Sequence, residues 1–477
     1  MKQKLLLAIA FIAFLTTNAQ VTKLKEINDS GDSSSQPSNL FVFNNKIYFQ
    51  ADDSNGSNTP GGADLGDELW VTDGTEAGTT FLKDLRTGSD SSGPSFFFEF
   101  NGTMYFSANE TGDGNVLFSS DGTADGTTSI GGLFVFNPLE LDGLVYYINT
   151  TDDNGLYEFN GTTQTKVANA GAEHVNFLGA NFTSLNGKII GYGSTPTDDP
   201  TIGVELYEYN PETDSYALIK DITGDDGNAG ISNFVTIGSE VYFEATGNVW
   251  KSDGTTDGTI AVESASSIGG TNNYFVWNNA LYFEGDNFEG SNDQLWKYDP
   301  ATDTILNVSN ITGSTATGGN NHDPSDYAVL GDYLYYRGEN SDDSSGYIFR
   351  TNGTTSENLD STIKDIDEIT VLNGKLYFEG DDGVTGNELY MLDPATLSIT
   401  KVFKDSLEIY PNPTSDYINI SSEYLDNDFK IYSLLGQVVK KGKITSSKIK
   451  VSDLSTGSYI LKVTKDQKTV TKKLVIQ

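Results

Sequence analysis

The amino-acid sequence predicts an all-β protein: a β-propeller of about eight four-stranded blades, with seven as the alternative count, followed by a small immunoglobulin-like β-sandwich. Three observations lead there. The 477 residues include 25 Tyr, 26 Phe and 50 Gly, a strand-and-turn composition without the Ala-Leu-Glu-Lys blocks of helices. One phrase recurs along most of the chain at a mean spacing near 46 residues. Around residue 405 the phrase stops and the charge changes sign.

The phrase is clearest in GDELWVTDGTEAGTTFLKDL, residues 66–85. Its copies are ELWVTDGTEAGT, VLFSSDGTADGT, GLYEFNGTTQTK, ELYEYNPETDSY, NVWKSDGTTDGT, QLWKYDPATDTI, YIFRTNGTTSEN and ELYMLDPATLSI. Each carries one aromatic anchor: Trp70, Phe118, Tyr157, Tyr207, Trp250, Trp296, Phe349 and Tyr390. Upstream of the anchor stands an alternating hairpin such as LFVFNNKIYFQAD or ITVLNGKLYFEGD, whose Asn-Asn, Asn-Gly, Gly-Ser and Gly-Asp pairs are two-residue turn chemistry. Downstream lies a last short run such as TTFLKDL. Hairpin, variable loop, anchor strand, turn and outer strand make a four-stranded unit, and such units repeated radially are blades.

A lone blade cannot bury both faces, whereas stacked blades shield one another. Each buried aromatic contributes about 1.5–3 kcal/mol. VTKLKEI at residues 21–27 resembles an outer strand and could close the ring by pairing with the last blade. The last unit reads as having its own outer strand in SITKVF, so one strand is left over.

The Asp-Gly-Thr segment itself reads as a turn. Gly gives way to Pro in some copies, both being turn formers, and Asp, Asn and Thr bond their own backbone. No Gly-Lys-Ser/Thr follows, so a phosphate-cradling loop is excluded. The Asn-x-Ser/Thr triplets at Asn101, Asn160 and Asn352 coincide with turns and need no glycan to explain them.

Charge narrows the partners. Residues 20–406 hold 16 basic and 60 acidic residues, while 407–477 hold 11 Lys against 7 acids. So acidic a field repels nucleic acid and anionic membrane surfaces. With no cysteine and two histidines, thiolate chemistry is excluded and multi-histidine metal sites nearly so. His174 and His322 read as polar loop residues.

The start, MKQK followed by LLLAIAFIAFL and Thr17-Asn18-Ala19, reads as a secretory signal peptide over 1–19, cleaved between Ala19 and Gln20. No other apolar run is long enough to span a membrane as a helix. The expected organisation is signal peptide 1–19, propeller 20–405 and C-terminal domain 406–477.

ELWVTDGTEAGT, VLFSSDGTADGT and NVWKSDGTTDGT resemble the "ELW-SDGT-GT" repeats of bacterial exported proteins, and KYDPATDTI and MLDPATLSI are similar to kelch-type propeller repeats; this implies a propeller and no activity. In the tail, Tyr410-Pro411-Asn412-Pro413, Leu435-Gly436-Gln437, Leu454 to Tyr459 with Gly457, and the terminal KKLVIQ closely resemble the C-terminal sorting domain of the type IX (Por) secretion system. That resemblance implies passage through the periplasm, recognition by the type IX machinery at the outer membrane, and a secreted or cell-surface location. Pro411 and Pro413 fix φ where the chain enters the sandwich, and Gly436 and Gly457 supply turns.

For chemistry, the loops between second and third strands are rich in acids and amides, as in ADDSNGSNTPGGADLGDE (51–68) and EGDNFEGSND (284–293). Calcium favours such oxygen ligands, although none fits the EF-hand spacing, and solvated turns explain the same composition. No catalytic, metal or cofactor residue is assigned. The expected function is binding or adhesion at the cell surface, with a glycan or another surface partner as ligand. An enzyme is disfavoured; the alternatives are a polysaccharide hydrolase or lyase using channel carboxylates, and a calcium-stabilised scaffold.

Overall fold

The computed structural model describes residues 21–477 except 30–32, 55, 150–154, 168–175, 195–201, 287–292, 312–320, 341–342, 400–408, 421–423, 426, 434–436 and 466–467. The expected cleavage point at Ala19 and Gln20, His174 and Gly436 lie outside the described residues. The chain divides into two compact units, Gln20–Pro394 and Ala395–Gln477.

The first unit holds eight four-stranded antiparallel sheets among the described residues. Blade one consists of Ser38–Phe43, Lys46–Asp52, Asp67–Thr72 and Thr80–Lys83, each paired with the next. The same meander repeats over 95–131, 136–166, 176–220, 232–261, 269–307 and 325–358. The eighth sheet joins Lys364–Leu372, Lys375–Asp381 and Asn387–Leu392 to Thr22–Lys25 from the other end of the unit. The first strand of each blade lies beside that of the next, and blade one's lies beside blade eight's. The sheets form a closed eight-bladed propeller, and the count of seven is set aside.

Closure uses the N-terminal strand; of the expected outer strand SITKVF, residues 400–403 lie outside the described residues. Pro394–Ile399 forms 3-10 turns, and Thr22–Lys25 occupies the fourth place of the eighth sheet.

The hairpin turns follow their sequence. Both residues take positive φ at Asn44-Asn45, Asn101-Gly102, Asp142-Gly143, Asn186-Gly187, Asn278-Asn279 and Asn373-Gly374, as a type I′ turn demands. At Gly238-Ser239 and Gly331-Asp332 only the glycine does, the type II′ pattern.

All eight anchors sit on third strands at one register. Trp70, Phe118, Trp250, Trp296 and Tyr390 face Phe49, Phe106, Phe243, Phe283 and Phe378 of the second strand, while Tyr157 and Phe349 face Tyr147 and Tyr336. Blade four departs, with Tyr207 opposite Gly191. The apolar clusters lie between blades rather than within them. Ile47, Phe49 and Trp70 of blade one pack with Leu372, Tyr377 and Leu389 of blade eight and with Leu24 and Ile27. Phe43, Tyr48 and Leu69 of blade one pack with Met104, Phe106 and Phe118 of blade two.

A tyrosine just before the second-strand aromatic locks neighbouring blades. Tyr48 Oη donates to the Gly122 carbonyl at 3.1 Å, and Tyr105 Oη to that of Gly161 at 3.2 Å. Tyr377 of blade eight likewise abuts Gly74 of blade one. Gly122 belongs to an Asp-Gly-Thr turn and has φ +92°, so it needs glycine both for its backbone and for the tyrosine. Where Pro replaces this Gly, the tyrosine packs on a ring instead: Tyr146 on Tyr209 at 6.3 Å and Tyr242 on Tyr298 at 5.9 Å. The substitution Gly122→Ala is expected to cost about 2 kcal/mol, seen as a lower denaturant midpoint, whereas Tyr48→Phe costs about 1 kcal/mol.

The turn is self-contained. Asp73 Oδ1 accepts the Thr75 N–H at 3.0 Å and its hydroxyl at 2.7 Å, and the Gly78 N–H donates to Thr75 Oγ1 at 3.0 Å. Residues 121–126 and 253–258 repeat these bonds. The hydroxyl and amide of Thr75 hold the Asp73 carboxyl below its ordinary range.

The second unit packs a three-stranded sheet, Ile409–Tyr410, Tyr417–Ile420 and Lys448–Lys450, with a four-stranded one in the order Val438–Lys443, Asp428–Ser433, Gly457–Lys465, Lys468–Ile476. Ile418, Ile431, Val451, Leu461 and Leu474 form their common core, a small β-sandwich.

Candidate functional site

In every blade the first strand carries a β-bulge near its start. The extra residue takes a left-handed conformation at Asn39, Phe96, Asn137, Asn233, Asn273, Asp326 and Glu368, with φ from 47° to 59°. Asn and Asp tolerate that region, while Phe and Glu pay for it. An antiparallel meander puts the start of the first strand, the loop after the second strand and the connection between blades at one end. The bulges therefore ring the propeller axis at the mouth that also bears the acidic loops.

On blades five to eight the ring residues reach the next blade. Asn233 Nδ2 donates to Asn272 Oδ1 at 2.9 Å, and Asn273 Nδ2 to Glu284 Oε2 of its own blade at 2.7 Å and to the Pro324 carbonyl, just before blade seven, at 3.3 Å. The Asp326 carboxyl feels the charge of Asp367 on blade eight, and the Glu368 carboxyl faces the backbone of Asn39 and Leu40 on blade one.

This half of the mouth is acidic. Burial, then the charges of Asp293 and Asp323, push Glu284 up to about 7. Burial raises Glu339 and Glu379 to about 7 as well. It also raises Asp326, with the Asp367 charge adding to it. One carboxylate oxygen each from Glu284, Asp293 and Asp323 lies within 4.8 Å of the others, which suits three oxygen ligands of a hard cation. Glu284 and Asp293 open and close the acidic stretch 284–293, Glu284 still on the second strand of blade six, and Asp323 lies on the approach to blade seven. Across the ring the character is aromatic: Phe96 meets Phe136 edge-on at 4.6 Å, and Phe134 lies 6.4 Å from Phe136. All three are half-buried.

Two sets of residues escaped the sequence. The first is the acid that opens ELW and ELY. Glu68 is fully buried and accepts the Leu85 N–H at 2.7 Å and Ser92 Oγ at 2.8 Å. Glu205 accepts the Ile222 N–H at 2.7 Å, and Gln294 the Ile311 N–H at 2.9 Å. Glu388 accepts the Ile27 N–H at 2.8 Å, the Asn28 N–H at 3.2 Å and Ser35 Oγ at 2.7 Å. Each side chain fastens the chain leaving the outer strand, and Glu388 fastens the closing strand. The second is His322, a buried residue and not a polar loop group. Its ring bonds the Glu339 carbonyl at 2.7 Å and Tyr336 Oη at 3.0 Å, and burial depresses it to about 4. It is a neutral structural group.

In the C-terminal unit, Pro411 and Pro413 both follow cis peptide bonds. Asn412 between them grips the last strand, donating to the Lys473 carbonyl and accepting from the Val475 N–H, both at 2.8 Å. Gly457 opens the strand that pairs with Ile476. Tyr459 Oη donates to the Ser455 carbonyl at 2.7 Å.

Residues 408–477 match the family of secretion system C-terminal sorting domains. A stretch of 74 residues is 40% identical to Beta-agarase D of Zobellia galactanivorans, covering 15% of this chain and 15% of that relative. Among solved structures, PorZ, an essential bacterial surface component of the type-IX secretion system of Porphyromonas gingivalis, aligns at 12% identity and TM-score 0.40 over 91% of this chain and 68% of its own. The Dos1 propeller aligns at 14% identity and TM-score 0.46 over 78% and 95%. The fold rests on the sheet order above and not on these likenesses. A chain ending in such a domain is an exported cargo. Specifically, it is cargo of the type IX secretion system, bound for the cell surface or secretion. Among the described residues no helix is long and apolar enough to cross a membrane.

Proposed function

We propose that the propeller is a binding module for a glycan or another surface partner, engaged at the mouth where the first strands begin. The supporting observation is the divided ring: half-buried Phe96, Phe134 and Phe136 on one side, carboxyl and carboxamide groups on the other. An apolar platform with a few convergent polar groups is what a sugar or peptide ligand requires. Phe96 also holds a backbone conformation costly for its type, and such strain concentrates at ligand sites. A broad glycan array with the whole protein tests this. Binding that falls about tenfold in Phe96→Ala supports it; no binding to any member removes the glycan. Hydrolysis of a bound glycan would favour the enzyme.

A second reading, the calcium-stabilised scaffold, has Glu284, Asp293 and Asp323 in its favour. Millimolar calcium should then raise Tm by several degrees and Glu284→Gln should abolish the gain. A Tm indifferent to calcium and chelator eliminates it.

A further inference from the structure

The four-stranded sheet of the C-terminal unit turns Phe429, Ile431, Leu461 and Val463 into the core. Alternation puts Lys430, Tyr432, Ile460 and Lys462 on its other face. Cross-strand register arranges them in two rungs. One runs Lys441, Lys430, Lys462, and the other Val438, Tyr432, Ile460, Lys473. Val438 is 48% and Ile460 41% exposed, so an apolar seam lies open beside a row of cations. Lys440, of the opposite parity, is paired with Asp453 at 2.6 Å. Among the described residues, Lys430, Lys441, Lys462 and Lys473 have no acidic partner.

We propose that this face is the surface through which the type IX machinery holds the sorting domain, and that its partner is an acidic protein surface bearing an apolar strip. Complementarity of charge and apolarity argues for it. The rest of the exported chain, residues 20–406, has 60 acids against 16 bases. An acidic receptor attracts the lysine rung and repels the cargo, so it takes hold of the domain whatever propeller is attached. Like charges set against each other at an interface discriminate strongly. The apolar seam supplies the contact that salt does not screen.

The test is the full-length protein carrying Lys430→Glu, Lys441→Glu and Lys462→Glu, expressed in the secreting bacterium and followed by surface and periplasmic fractionation. The surface fraction is expected to fall about tenfold, with intact protein accumulating in the periplasm. Lys448→Glu with Lys450→Glu, on the three-stranded sheet, should be delivered normally, as should the triple Lys→Arg variant. Circular dichroism and protease resistance show whether the reversed chain is folded. If it is not, Lys430→Gln with Lys462→Gln takes its place, with a smaller loss expected. Normal delivery of the folded reversal variant overturns the proposal, and so does an equal defect in the Lys448/Lys450 control. Capture of the wild-type protein by phosphatidylglycerol vesicles, lost on reversal, would overturn it in favour of a lipid surface. Failure of the sorting assignment is separate: there, removal of residues 408–477 would itself leave delivery unchanged.

Discussion

Removal of residues 408–477 is expected to leave a folded propeller that never reaches the cell surface. The effect is close to all-or-none, because the address lies in a domain with its own core of Ile418, Ile431, Leu461 and Leu474. None of those side chains belongs to the clusters that bind blades together. Fractionation should find the truncated chain in the periplasm, and its far-ultraviolet spectrum and thermal transition should remain those of an all-β unit. Delivery of the truncated chain at wild-type levels would refute the role of the domain.

Glu388→Ala is expected to destabilise the propeller by about 3–5 kcal/mol. It takes the acceptor from the buried N–H groups of Ile27 and Asn28 and leaves the Ser35 hydroxyl only the longer bond to the Asn387 carbonyl, and a buried unsatisfied donor costs about 1–3 kcal/mol. Denaturant titration measures it. Glu388→Gln should be far milder, since Gln294 does the same work in blade six with its Oε1. The two variants also separate in pH. Burial outweighs the donors and lifts both Glu68 and Glu388 to about 7 from the ordinary 4.5. Between those values the folded state keeps protons that the unfolded chain has released, so stability falls as pH rises. Tm should drop by several degrees from pH 5 to pH 8, and Glu388→Gln should flatten part of that slope. A Tm rising over the interval would contradict it.

The blades were legible because their signals are local. Asn44-Asn45 or Asn373-Gly374 must turn wherever it occurs, and the alternation around Tyr48-Phe49 needs no distant partner to be read as a strand. Glu68 and Glu388 stand in plain view within the repeat, yet nothing in the sequence shows what they hold. Their partners, Leu85 and Ile27, contribute only backbone N–H groups, which carry no residue signature. The bulges were hidden for a related reason: one extra residue in Ser38–Phe43 or Ser95–Phe100 leaves the apolar pattern nearly intact while changing the register. The fourth place of the eighth blade could not be assigned from propensity alone, because SITKVF and VTKLKEI both suit an outer strand; Thr22–Lys25 fills it. Of the candidate site, acidic loops such as 284–293 were anticipated by composition. The convergence of Asp293 with Glu284 and Asp323, and of Phe96 with Phe134 and Phe136, depends on which blades adjoin.

The pairing of Thr22 with Met391 joins residues from opposite ends of the unit. No such contact can form until the eighth blade exists, and bringing the ends together costs entropy in advance. Assembly is therefore governed by a late, long-range step and should be slow for a protein of its size. A circular permutant that linked the two ends and opened the chain at a hairpin between other blades would convert that step into a local one. It should refold faster at nearly unchanged equilibrium stability.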